Sequence, residues 1–132
     1  MITTTDPIAD LLSRIRNAVA VNKNEINMPH SKIKESVAKI LRENNYIDDV
    51  RVVNASVGKT LALTLNSEDS NSRITEIVRL SSPGRRQYTG HTAIPTVRQG
   101  RGMVIISTSQ GIMTGKDAKS KGVGGELICR IY

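Results

Sequence analysis

Aromatic side chains are scarce in this sequence of 132 residues, which has three Tyr, no Phe and no Trp. The hydrophobic core must therefore be built from aliphatic side chains. Nucleic-acid binding by base stacking on several exposed rings, as on four-stranded RNA-recognition sheets, is nearly excluded. Any contact with a nucleic acid would have to use hydrogen bonds and charge.

Cysteine occurs once, as Cys129. A single thiol permits no internal disulfide, which is consistent with a reducing compartment. Its strand-like context favours a small packed hydrophobe over a nucleophile. His30 and His91 have no Cys or carboxylate at ligand spacing, so we predict no metal site and no cofactor. The sequence suggests no Ser-His-Asp or Cys-His grouping and hence no catalytic residue, although a grouping formed in space stays open.

Long apolar runs are missing as well. No run approaches the ~18 residues that span a membrane, so we expect no membrane partner. The opening segment MITTTDPIAD lacks the basic and then apolar profile of a secretory signal. We therefore expect a mature chain that begins near Met1.

Positive charge, in contrast, is plentiful, and the formal net charge is +7. Residues 1–80 hold eleven Lys or Arg against ten Asp or Glu, whereas residues 81–132 hold eight against two. Most of the excess therefore lies in the C-terminal part of the chain. This asymmetry predicts a polyanionic partner for that part, and a merely solubilising basic surface is the alternative.

The N-terminal part predicts two helices and three strands. Asp6 and Pro7 are typical of a helix start, because Asp caps free N–H groups and Pro has none to satisfy. The first helix should bury Ile8, Leu11, Leu12, Ile15 and Val19. EINMP predicts a short strand, and Ser31 then caps a second helix. That helix should bury Ile33, Val37, Ile40 and Leu41. Its outward residues should be Lys32, Lys34, Lys39 and Arg42, with an ion pair between Glu35 and Lys39.

Two strands, VRVVNA and TLALTL, follow and are joined through SVGK in a hairpin-like turn. The polar stretch NSEDSNS then indicates a boundary. We predict an N-terminal α-β-α-β-β subdomain, residues 1–66, and a C-terminal basic, mainly β subdomain with a short helix, residues 67–132.

In the C-terminal part, RITEIVRLSS predicts a strand preceded by a few helical residues, and PGRRQYTGHTAIPTVRQGRG predicts loops with a short turn of helix or strand. MVIIS is typical of a buried strand. Thr114 is expected to cap a short helix over GKDAKSK, and ELICRIY predicts the closing strand.

The segment STSQGIMTGKDAKSKGVGGE, residues 107–126, carries the most distinctive pattern. Its GIMTGKD has one residue fewer between glycines than a nucleotide phosphate-binding loop, and Asp117 stands where that loop needs a hydroxyl for magnesium. GVGGE lacks the third glycine of the dinucleotide fingerprint. GVGG also matches the short glycine clamp of KH modules, but that clamp joins two helices. We predict a strand end, a tight turn, a short helix, a glycine loop and the start of the last strand.

An RNA-binding surface accounts for this pattern better than an enzyme active site does. Short hydroxyls pair with base edges or ribose hydroxyls, and glycines expose main-chain N–H groups. Glu126 should accept from base amino groups or brace the N–H donors of its own loop, unless it is simply a solvated strand residue. Counter-charge for phosphates would come from Arg85, Arg86, Arg98, Arg101, Lys116, Lys119 and Lys121.

Five blocks of the chain carry a resemblance to a known family: TDPIADLLSRIRNA, MPHSKIK, SSPGRRQY, STSQGIMT and KGVGGELIC. In this order and spacing they resemble the bacterial or organellar small-subunit ribosomal protein eight family over nearly the whole chain. The resemblance implies an α+β fold in which two small α+β subdomains pack together, with helix/sheet/sheet/helix layering.

It also implies a function without catalysis. The chain would be a structural constituent of the small ribosomal subunit that binds the central domain of small-subunit (16S-type) rRNA and helps to assemble the platform. Its partners would be that RNA and neighbouring small-subunit proteins, with no small-molecule substrate. A translational autoregulator that binds its own operon mRNA is the alternative. Its location would be the ribosome, in the cytoplasm or, for an organellar protein, the plastid stroma.

Carried over by position, the resemblance implies RNA contacts at Ser107, Thr108, Ser109, Gly122, Gly124, Gly125 and Glu126. It adds Tyr88 from the PG segment and Lys32 from the N-terminal subdomain. The charge pattern adds Arg85 and Lys121.

Overall fold

The computed structural model describes residues 6–54, 56, 58–66, 73–97 and 102–132. Within these ranges, three helices and two antiparallel sheets confirm the predicted α+β class. The chain divides into two compact units, Met1–Ile74 and Thr75–Tyr132. This division falls later than the boundary predicted after Asn66, since Arg73 still donates to Asp48 and to Leu65 O in the first unit. Residues 67–72 of the polar stretch lie outside the described residues.

The first unit opens with helix α1, Pro7–Ala20, strand β1, Glu25–Pro29, and helix α2, Lys32–Glu43. Both predicted N-caps are confirmed. Asp6 Oδ1 accepts from Ala9 N at 3.1 Å, and Ser31 Oγ accepts from Lys34 N at 3.2 Å. Each cap satisfies an N–H group that has no partner inside the helix, and this fixes where the helix begins.

Strands β2, Asp49–Asn54, and β3, Lys59–Thr64, complete a three-stranded sheet in the order β1-β3-β2. Two predicted core residues, Val19 and Ile33, are only partly buried, and Ala18 is buried beside the α1 stripe. The aliphatic core includes these fully buried side chains: Leu11, Leu12, Ile15, Leu41, Ile47, Leu61, Leu63 and Leu65.

Lys34 corrects the predicted outward face of α2. Its side chain is 7% exposed, and its Nζ donates to Asp10 Oδ2 at 2.8 Å and to Pro29 O at 3.3 Å. The helical pattern counted it as a solvated cation, because the pattern contains no information about the carboxylate that α1 brings alongside. The surface ion pair between Lys39 and Glu35 is confirmed at 2.6 Å.

The second unit centres on strand β8, Gly125–Ile131. One edge of β8 pairs with β6, and the other pairs with β4 near one end and β5 near the other. All these pairings are antiparallel, and β7 extends the sheet beyond β6. The remaining elements are β4 Ile77–Arg79, β5 Tyr88–Thr89, β6 Met103–Thr108, β7 Gly111–Thr114 and helix α3 Gly115–Lys121.

Two predictions for this unit need correction. The segment after Ser109, expected to be only a tight turn, forms a hairpin in which β7 pairs with β6. The helical residues expected before β4 are absent from residues 73–76. The N–H groups of Thr75 and Glu76 instead both donate to Tyr132 O, at 2.7 and 2.8 Å, so hydrogen bonds to the last residue hold this segment in place.

Helix α3 is confirmed with its predicted cap, since Thr114 Oγ1 accepts from Asp117 N at 3.1 Å. Helix α3 meets the sheet through two buried residues, Gly115 and Ala118, because a missing side chain or a methyl group allows close packing. The cluster of buried side chains that includes Ala118 also contains Val97, Val104, Ile106, Met113 and Leu127. None of the helices in the described residues is long and apolar enough to cross a membrane.

Candidate nucleic-acid interface

Three predicted site residues form a row across the second sheet. Glu126 on β8 is paired with Ser107 on β6 and with Tyr88 on β5. Directly opposite residues of antiparallel strands place their side chains on the same face. Tyr88 is 72% exposed, and the Glu126 side chain is 20% exposed. The sheet thus brings together a hydroxyl, a carboxylate and a phenol from segments far apart in the sequence.

Glycines 124 and 125 sit where the neighbouring strands come too close for a side chain. A Cβ at Gly125 would lie well under 3.0 Å from Ser107 O, and one at Gly124 would collide with Thr89 O. Gly125 pairs with Thr108 and Thr89 in the next row of the sheet. The structure therefore supplies a packing reason for both glycines, which the sequence did not suggest.

Gly122 has a different reason to be glycine. It ends α3 with φ 68°, in the left-handed region that side chains disfavour, and its N–H donates to Lys119 O at 3.2 Å. A Cβ there would meet nothing within 4 Å, so only the backbone conformation calls for glycine. This end cap turns the chain from α3 towards β8.

The predicted hydroxyl run is divided between two roles. Thr108 Oγ1 donates to Gly111 O at 2.8 Å and accepts from Gln110 N at 3.1 Å, so it closes the β6–β7 turn. The side chains of Ser107 and Ser109 make no hydrogen bond within the described part of the chain. Ser109 is exposed and Ser107 partly buried. Of the three hydroxyls, these two keep their capacity for an external partner.

Glu126 has a partner that was not assigned to it from the sequence. Its Oε2 accepts from Arg86 Nη1 at 2.9 Å. No N–H donor of its own glycine loop contacts the carboxylate among the described hydrogen bonds, so of the two roles expected for Glu126 the acceptor of base amino groups stays a prediction. Arg86, counted only as a phosphate cation, instead neutralises the carboxylate. The sequence held no direct signal for this pair, because the two residues are 40 positions apart.

A turn fixes the segment that carries Arg86 and Tyr88. Ser82 and Arg85 exchange two main-chain hydrogen bonds of 3.0 Å around Pro83 and Gly84. The buried Ser81 Oγ accepts from Gln87 N at 2.7 Å. Gln87 O in turn accepts from Leu127 N at 2.8 Å. These bonds dock the PG segment against β8, immediately beside Glu126.

The basic residues of the second unit fall into two groups. Arg79 donates to Ile128 O at 2.7 Å, and Arg130 donates to Glu76 at 3.1 Å. Arg98 and Arg101, also expected near phosphates, lie outside the described residues. Four exposed cations form no ion pair within the described ranges: Arg85, Lys116, Lys119 and Lys121. Lys32 is exposed on the first turn of α2, in the first unit.

The remaining reactive side chains have structural roles. Cys129 is buried, and this burial raises the pKa of its thiol to about 12, so it packs as the expected hydrophobe. His30 Nε2 contacts Glu35 Oε1 at 2.7 Å. In the described part of the chain, no three His, Cys, Asp or Glu side chains are grouped so that they could hold a metal ion.

Comparison with known proteins places the chain among ribosomal proteins. It is 50% identical to the small ribosomal subunit protein uS8 of Acidithiobacillus ferrooxidans over 95% of both chains. It is 47% identical to the uS8 protein of Corynebacterium glutamicum over 98% of this chain and 99% of the relative. The sequence profile of ribosomal protein S8 matches residues 6–132. The chain therefore belongs to the ribosomal protein S8 family.

Proposed function

We propose that this protein is a structural constituent of the small ribosomal subunit and binds the central domain of its rRNA. The observation that carries the proposal is the row of Tyr88, Glu126 and Ser107 on three adjacent strands. Unpaired cations on the same unit supply the electrostatic attraction. Membership of the ribosomal protein S8 family supports RNA as the polyanion.

Two kinds of side chain in the site would provide affinity and specificity separately. Arg85, Lys116, Lys119 and Lys121 bring long flexible cations to phosphates, which gives affinity without sequence information. Ser107, Ser109 and Glu126 offer short, fixed groups for the edges of unpaired bases. Such short, fixed groups favour an irregular RNA helix with splayed bases over a regular duplex, because the major groove of a regular RNA duplex is too deep and narrow for side chains to read.

Binding to two matched RNAs tests the proposal. The first is a transcript of the central domain of bacterial small-subunit rRNA, and the second is the same transcript with its irregular helix core replaced by paired residues. We expect the dissociation constant for the first to be at least about tenfold lower, or about 1.4 kcal/mol. Equal affinity for the two transcripts would contradict recognition of an irregular core.

Assembly with the ribosome is tested separately. The protein should co-sediment with small subunits in a high-salt gradient, because contacts to bases and a shaped surface survive screening better than phosphate contacts alone. Loss of the protein from the subunit peak in high salt, with recovery in low salt, would indicate a purely electrostatic association.

Binding to its own operon mRNA is a second role for the same surface. An mRNA segment that folds into a similar irregular helix would present the same phosphates and base edges to the row. A competition experiment between this mRNA segment and the rRNA transcript tests this second role. We expect each RNA to displace the other from the protein. Simultaneous binding of both RNAs would exclude a shared site.

A further inference from the structure

Glu126 places a carboxylate on a surface that we assign to phosphates, and phosphates repel carboxylates. Its Oε2 is bonded to Arg86 Nη1 at 2.9 Å. Oε1 accepts no hydrogen bond within the described ranges, so this oxygen keeps its acceptor capacity. Among the described residues the pair is therefore asymmetric, because the protein holds one carboxylate oxygen and the other accepts no hydrogen bond.

The exposure of Arg86 limits what its pair with the 20% exposed Glu126 adds to the stability of the fold. The Arg86 side chain is 48% exposed, and an ion pair in such a setting adds little to the stability of a fold. The backbone on both sides of Arg86 is nevertheless firmly held, by the Ser82–Arg85 turn and by Gln87 O, which accepts from Leu127 N. The backbone that carries the guanidinium is therefore held in place beside Glu126.

We propose that Arg86 is a positioning residue for Glu126 in RNA recognition, an inference that rests on the proposed function. Its guanidinium offsets the carboxylate charge and holds Oε2, so that Oε1 accepts from an amino group of an unpaired RNA base. Charge-assisted hydrogen bonds to base amino groups discriminate between bases, because only some bases carry a donor there. Arg86 consequently acts on specificity through Glu126, without touching a phosphate itself.

A double-mutant cycle tests this coupling, with the central-domain transcript as the probe. Arg86→Gln and Glu126→Gln should each weaken binding about tenfold, and the double variant should be no weaker than the worse single variant. Arg86→Lys, which keeps the charge, should bind more tightly than Arg86→Gln. Additive losses of about a hundredfold in the double variant would overturn the proposal, since independent contacts add.

The salt dependence of binding gives a readout that a merely structural role would not move. If Arg86 acts through Glu126, Arg86→Gln leaves the slope of log affinity against log salt unchanged. A phosphate contact would instead reduce that slope by roughly 0.7–0.9. Arg130→Gln is the matched control, because Arg130 is a 46% exposed, ion-paired guanidinium on the same strand as Glu126. It should bind within about twofold of the parent protein.

Two outcomes separate this inference from the proposed function. If the parent protein fails to prefer the transcript with the irregular core, the proposed function itself fails. If the preference is present but the cycle is additive, only the role of Arg86 fails. Thermal unfolding of each variant checks the fold. Should Arg86→Gln not fold, the cycle is repeated with Arg86→Met, which also removes the guanidinium charge, and additivity there overturns the proposal equally.

Discussion

The two units hold nearly equal numbers of basic residues, ten in residues 1–74 and nine in residues 75–132. They differ in acids, with nine in the first unit and three in the second. In the first unit, Asp10, Glu35 and Asp48 all bind cations, and the pairs of Asp10 and Asp48 join separate segments of the unit. In the second, four exposed cations have no acidic partner among the described residues. Exposed cations without an ion pair among the described residues also occur in the first unit, at Lys23, Lys32, Arg42 and Lys59. The first unit nevertheless has nearly as many acids as bases, whereas the second has three times as many bases as acids, so the net positive charge available to a partner lies mainly in the second unit.

Asp10→Asn should have the largest effect on stability, and it tests whether ion pairs stabilise the first unit. It removes the counter-charge of the Lys34 ammonium, whose side chain is 7% exposed, and should cost about 1.5–3 kcal/mol, the range for a hydrogen bond to a charged group. Chemical denaturation measures the loss, and RNA affinity should not change. Asp49→Asn is the control, because Asp49 pairs with Arg51 only at 3.9 Å on an exposed strand.

Acid titration checks the same pair with a defined sign. The hydrogen bond from Lys34 is the largest factor that lowers the pKa of Asp10 below 3.8. Because the folded pKa is the lower one, the stabilisation is present above the unfolded value and is lost as pH falls through the folded value. The stability difference between the parent and Asp10→Asn should therefore shrink at acidic pH. A constant difference would mean that the carboxylate charge is not responsible.

Gly125→Ala should affect the second unit in both stability and binding. The added Cβ would push Ser107 away from β8, and overpacking of this kind costs about 1–3 kcal/mol. RNA affinity should fall as well, since the row of Tyr88, Glu126 and Ser107 loses its alignment. Gly84→Ala is the control, because a Cβ there meets nothing within 4 Å. Equal behaviour of the two variants would contradict the close strand approach.

Glu126→Gln should weaken RNA binding more than Ser107→Ala or Ser109→Ala. Hydrogen bonds to charged groups contribute about 1.5–3 kcal/mol, against about 0.5–1.5 kcal/mol for neutral pairs. Filter binding to the central-domain transcript compares the three variants. Thr108→Ala should instead lower stability, because its hydroxyl closes the β6–β7 turn. An unchanged affinity for Glu126→Gln would remove this residue from the interface.

Lys121→Gln should have the smallest effect on RNA affinity, and it tests whether the exposed cations of the second unit bind phosphates. If about five exposed cations meet phosphates, the slope of log affinity against log salt is roughly −3.5 to −4.5, and losing one reduces it by about 0.7–0.9. Lys39→Gln is the control, because Lys39 is already paired with Glu35 at 2.6 Å. A salt-independent affinity of the parent protein would refute the electrostatic contribution.

Local chemistry made much of this fold predictable. The N-caps Asp6, Ser31 and Thr114 predict where the three helices begin, because each cap binds an N–H group only three residues further along the chain. The aliphatic core of α1 and the strands β1, β3, β6 and β8 follow from the spacing of apolar residues. The strand β7 was missed because GIMT is short and begins with a glycine, which reads as a turn.

By itself, the sequence determined where most elements begin and that the basic excess lies in the C-terminal part, since caps, periodicity and charge are local properties. Only the tertiary structure decided which charges remain available. Lys34 is neutralised by a carboxylate from another helix and Arg86 by one from β8, while the Thr108 hydroxyl is hydrogen-bonded within its own turn. It also decided why Gly124 and Gly125 carry no side chain. Pairing and close approach between distant segments depend on strand register, which no local pattern contains.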